Sequence, residues 1–156
     1  MSTDDIIQKT LAQAASYAEA GDYVEAVRSL LALCRRGYPF DETAALFAAQ
    51  GSYLYEMKLY ERAIVALEQA RRLEPTDRNT LLRLGAARKY LRDPAGALDA
   101  YNEVIALNPQ SGTAHANKAL ALFELGLGEE SLAAINKAVE LEPNKVDGWS
   151  NRGIIT

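Results

Sequence analysis

Residues able to do chemistry are few in this 156-residue chain, and they are scattered. There is one histidine, His115, and one cysteine, Cys34. No Ser-His-Asp or Cys-His set stands where one side chain would activate another, and no cluster has metal-ligand spacing. A lone cysteine cannot close an internal disulfide, and Cys34 falls in a helical stretch, where it reads as a small buried hydrophobe. The carboxylates Glu129-Glu130 and Glu140/Glu142 lie at helix ends, where solvation accounts for them. Gly126-Leu127-Gly128 is a turn between helices rather than a phosphate loop, because no strand precedes it. The chain is therefore expected not to be an enzyme and to need no cofactor or metal. A basic stretch, Arg71-Arg72 followed by Arg78, Arg83, Arg88, Lys89 and Arg92, is the strongest local charge. It lacks the interleaved aromatics of a base-stacking surface, so a solvated face is expected there and no nucleic acid.

Composition narrows the class further. The formal net charge is −4, which supplies no field to draw in nucleic acid or anionic lipid. Half the residues are apolar and 24% are charged, a balance that excludes intrinsic disorder. The longest purely apolar run, Ala44–Ala49, is far short of the roughly 18 residues a membrane span needs. The acidic start, Met-Ser-Thr-Asp-Asp, is the opposite of a secretory leader. The expectation is a cytoplasmic protein that does not enter the membrane.

The elements that carry these residues repeat. Leu73-Glu74-Pro75 returns as Leu107-Asn108-Pro109 and as Leu141-Glu142-Pro143, each time 34 residues on. Helical patterning inside a period of that size marks a helix–turn–helix solenoid. With the proline placed at position 32, the stretch Ala44–Asp77 has Phe47 at 4, Gly51 at 8, Leu54 at 11, Ala63 at 20, Leu67 at 24 and Ala70 at 27. On these residues the chain resembles the tetratricopeptide repeat (TPR) family. That resemblance implies an all-α, right-handed superhelix of antiparallel helix pairs, A then B in each repeat. It also implies a protein that binds other proteins.

The chain then reads as a single solenoid domain, 1–156. A degenerate repeat spans 4–41, with Ser2 or Thr3 capping its A helix and Gly21-Asp22 turning into its B helix at Ala26. Full repeats span 44–77, 78–111 and 112–145, the first of them capped by Asp41. Asp93-Pro94 caps and opens a B helix in the third repeat, which departs from the pattern with Arg88 at position 11 and Val104 at 27. The fourth has His115 at the position-4 packing site, Ala119 at 8 and Ser131 at 20. Positions 8, 20 and 27 must be small because helices approach there, so Leu at Ala63 is expected to overpack at a cost of about 1–3 kcal/mol. Residues 146–156 begin a fifth repeat with Trp149 and Gly153. Either the chain is a piece of a longer array, or this is a C-terminal helix; its apolar Ile154-Ile155 would then seek cover, for example from a second copy.

What the family resemblance implies for binding is a groove lined by A helices at positions 2, 5, 6, 9, 12 and 13. In the first repeat these include Leu11 and Ala15; in the second, Ala48, Ser52 and Tyr55. The third contributes Asn79, Leu82, Arg83, Ala86, Lys89 and Tyr90. The fourth contributes Ala116, Asn117, Leu120 and Phe123. This floor is small and apolar, with Tyr55, Tyr90 and Phe123 as anchors, a composition suited to an amphipathic helix or an extended peptide. The carboxylate clamp of some TPR proteins needs Lys at 5 and Asn at 9 of one A helix. Position 5 here is Leu11, Ala48, Leu82 and Ala116, and position 9 is Ala15, Ser52, Ala86 and Leu120, so the clamp is absent. The expected function is an adaptor that holds a protein segment. The alternatives are the targeting domain of a larger enzyme and a small secretion chaperone that masks a client helix.

Overall fold

The computed structural model describes residues 2–36 and 43–144, and among them the chain forms eight α-helices and no strand. They are α1 (Thr3–Glu19), α2 (Tyr23–Arg35), α3 (Ala44–Glu56), α4 (Tyr60–Leu73), α5 (Arg78–Tyr90), α6 (Pro94–Leu107), α7 (Gly112–Glu124) and α8 (Gly128–Leu141). None of these helices is long and apolar enough to cross a membrane. The chain gathers into two compact units, Met1–Thr80 and Leu81–Thr156, with the division falling inside α5. The expected cap at Asp41 and the fifth repeat, 146–156, lie outside the described residues.

In the first unit, Ser2 starts α1 with a capping box. Its hydroxyl accepts from the Asp5 N–H at 3.1 Å, while its own N–H donates to the Asp5 carboxylate at 2.9 Å. The Ser2 backbone and side-chain hydrogen bonds hold the exposed Asp5 carboxyl below its ordinary pKa. Asp22 caps α2 through the Glu25 N–H at 3.1 Å. Ala14, Ala26, Leu30 and Leu33, at positions 8, 20, 24 and 27 when Ala26 is set at 20, are all in the core with Ile7 and Leu46. The start of α3 differs from expectation. Its N-cap is Thr43, and that side chain makes no capping bond.

The hairpins of both units turn the same way. Position 15 has a left-handed backbone in all four repeats, at Gly21 (φ 79°), Lys58 (φ 60°), Arg92 (φ 61°) and Gly126 (φ 77°). The N–H that follows reaches back five residues in each: Asp22 to Tyr17, Leu59 to Leu54, Asp93 to Arg88 and Leu127 to Leu122, at 2.9–3.0 Å. Two of the four turns therefore put a long cationic side chain where glycine is usual, at a cost of about 1 kcal/mol each.

Between the helices of a pair, the small residues are where the spacing requires them. A Cβ on Gly51 would stand 2.6 Å from Leu67 Cγ, and one on Gly85 would stand 2.5 Å from the Tyr101 ring. Ala63, Ala97, Ser131, Leu67, Tyr101 and Ile135 are fully buried, and Val104 fills position 27 against Leu81 and Ala114. Buried Ser131 spends its hydroxyl by donating to the Ala119 carbonyl at 2.7 Å.

Three side chains in the second unit do something the sequence reading did not anticipate. Arg88 does not join a basic surface: its guanidinium donates to the Gly96 carbonyl at 3.0 Å and braces the turn into α6. Glu142 is not a solvated helix-end acid. Its half-buried carboxyl group covers Gly112 at the start of α7, where a Cβ would meet Glu142 Cδ at 2.6 Å. An acid at a helix N-terminus is favoured by the unpaired N–H groups there. His115 is half-buried rather than a core knob, with Nε2 at 3.0 Å from the Pro109 carbonyl.

Candidate functional site

None of the residues expected to line the binding face through α1, α3, α5 and α7 is buried, with one exception. Ala116 is only 7% exposed and packs in the core with Ala119 and Leu122, so it offers no surface. Its loss follows from packing: position 5 of α7 is small, and the neighbouring core closes over it.

In the first unit the residues expected to line the face are half-buried. Leu11 is half-buried and leans on the core formed with Leu30 and Leu46, so part of its surface already serves packing. Ala15 on α1 and Ala48 and Ser52 on α3 are half-buried as well. Ala48 also lines a cleft of about 270 Å³ with Ala44, Ala45, Ala70, Glu74, Asp77 and Thr80. Asp77 closes that cleft by capping α5, accepting from the Asn79 N–H at 3.1 Å and the Thr80 N–H at 3.2 Å. Tyr55 is half-buried, and its ring packs edge-on against Tyr60 with centroids 5.5 Å apart. Tyr53, the neighbour that sequence reasoning passed over, stacks toward Tyr23 at 6.4 Å. Burial, then the nearby Glu19 charge, raises its phenol pKa.

Among the described residues, exposed aromatic surface is greater in the second unit. Tyr90 is 55% exposed at the end of α5, and Phe123 is 44% exposed at the end of α7. Lys89 Nζ lies 5.7 Å from the Tyr90 ring centroid, within cation–π range. Leu82, Arg83, Ala86, Asn117 and Leu120 are half-buried along the same two helices, with Leu82 also touching the Leu81–Val104–Ala114 core. Two residues of the basic stretch are already used within the fold: Arg88 braces a turn and Arg71 pairs with Glu68 at 3.7 Å.

Known proteins agree with this architecture. The tetratricopeptide repeat family model matches residues 82–145. That stretch carries tetratricopeptide repeats. Hsp70-Hsp90 organizing protein 3 of Arabidopsis thaliana is 27% identical over 97% of this chain. The chain spans about a third of the length of that relative and of a similar protein from Triticum aestivum. Among solved structures, MamA (residues 41 to the end) from Desulfovibrio magneticus RS-1 superposes with a TM-score of 0.87 at 22% identity, covering 97% of this chain and 84% of that one. The first TPR of Spaghetti (RPAP3), bound to the HSP90 peptide SRMEEVD, superposes with a TM-score of 0.69 at 23% identity, covering 72% of this chain and 89% of that one. These likenesses establish the fold class as the all-α TPR solenoid.

Proposed function

We propose that this chain is a cytoplasmic adaptor that holds a peptide or an amphipathic helix of another protein on the A-helix surface of its repeats. The observation that carries the reading is the pair of exposed rings, Tyr90 and Phe123, at the ends of α5 and α7, beside the half-buried Leu82, Ala86 and Leu120. A large ring above a small apolar floor is the composition of a binding hot spot, because a partner side chain can be desolvated there without displacing packed groups. The SRMEEVD peptide held by the Spaghetti domain supports peptide binding as the mode. The carboxylate-clamp residues are missing from this chain, so recognition here would rest on apolar contact with flanking polar groups rather than on a terminal carboxylate.

The test is capture of the partner on the immobilised chain, followed by affinity measurement with single substitutions. Phe123→Ala is expected to weaken binding about tenfold or more while melting stays nearly unchanged. Tyr55→Ala is expected to do less for binding and more to stability, because its ring already packs on Tyr60. Unchanged affinity in Phe123→Ala and Tyr90→Ala together would remove the A-helix surface from consideration.

A further inference from the structure

A second cleft, of about 430 Å³, opens between α6 and α8 with α7 as its floor. It uses the other side of α7 from the Asn117, Leu120 and Phe123 surface: His115, Lys118 and Leu122 recur at helical spacing and all line it. Its walls are mostly apolar, formed by Leu98 of α6, Leu122 of α7, and Ala133 and Ala134 of α8. The volume is in the range of about 300–1,000 Å³ that accommodates bound groups.

The charges around it are unbalanced. Lys118 and Lys137 face Glu130 alone among the acids of the lining, in a chain whose net charge is −4. Lys137 pairs with Glu140 at 3.2 Å, an exposed contact of little strength. Lys118 is half-buried and makes no ion pair among the described residues. An ammonium lodged beside apolar walls attracts an incoming carboxylate more strongly than one in open water, because the surrounding dielectric is lower.

We propose that this cleft is a second protein-docking site, which takes a partner segment with an Asp or Glu beside a Leu, Ile or Phe. The apolar side chain would fill the space between Leu98, Leu122 and Ala134, and the carboxylate would sit on Lys118. Both contacts use the side of α7 away from Asn117, Leu120 and Phe123, so this site stands or falls separately from the function proposed above.

Selection from a displayed random 12-residue peptide library against the full chain tests it. Clones that also bind a Lys118→Glu/Ala133→Glu double variant are discarded, which removes binders of the A-helix surface. The survivors are expected to carry an acid within two residues of a large apolar residue. A synthetic peptide of the commonest sequence is expected to lose at least tenfold in affinity to Lys118→Glu and several-fold on raising salt from low to high concentration. In a ¹⁵N-labelled chain it should shift the amides of Leu98, Lys118 and Ala133 rather than those of Leu120 and Phe123. Ala133 is exposed, so Ala133→Glu alone keeps the test valid if Lys118→Glu fails to fold. No surviving clones, survivors without acids, or equal binding to Ala133→Glu would each overturn the proposal.

Discussion

In the hairpin of α3 and α4 the close approach is apolar: Gly51 leaves space that Leu67 enters, and Ala63 is buried opposite. The hairpin of α7 and α8 has the same lengths and register, but Ala119 and Ser131 occupy the corresponding positions, and the serine hydroxyl bonds the Ala119 carbonyl at 2.7 Å. The requirement shared by both pairs is one of size, and chemistry is free to vary within it. A small residue lets the backbones approach, and that approach can be sealed by dispersion or by a buried hydrogen bond, provided the polar group finds a partner. The turns repeat the lesson: Gly21 and Gly126 take a left-handed backbone easily, whereas Lys58 and Arg92 take it under strain.

The comparison can be broken most sharply at Gly51. A methyl group there would face Leu67 Cγ at 2.6 Å and the Leu67 backbone nitrogen at 3.2 Å, so the hairpin itself must give. Gly51→Ala is expected to cost about 1–3 kcal/mol in urea unfolding, with Ala63→Leu falling in the same range. Ser131→Ala in the other hairpin is milder, about 1 kcal/mol, because one buried hydrogen bond is lost while little volume changes. If Ser131→Ala cost as much as Gly51→Ala, the polar seal would be more than a substitute for the apolar one. The smallest effects belong to the turns. Gly126→Ala should cost about 1 kcal/mol, whereas Lys58→Gly should be neutral or gain a few tenths, the opposite sign at the same repeat position. Equal signs would show that strain at Lys58 is relieved by contacts of its side chain.

Much of the fold was legible because its signal is local and periodic. The 34-residue spacing of Leu73-Glu74-Pro75 and its two echoes located the hairpins, and the small residues at positions 8, 20 and 27 located their contacts. The surface proposed for binding was legible only in part. Helical spacing identified which residues of α5 and α7 avoid the core, and Tyr90 and Phe123 are exposed as that spacing requires. It could not tell that the core would close over Ala116, or that Tyr55 would spend its ring on Tyr60.

By itself, then, the sequence determined the repeat, the register of each helix pair and the all-α class, because these follow from periodicity along one chain. Tertiary structure alone decided how individual side chains are used. It turned Arg88 inward to Gly96 and laid Glu142 across Gly112. Those outcomes depend on which groups from different helices or turns come within a few ångströms of one another, and no pattern within a single helix encodes that distance.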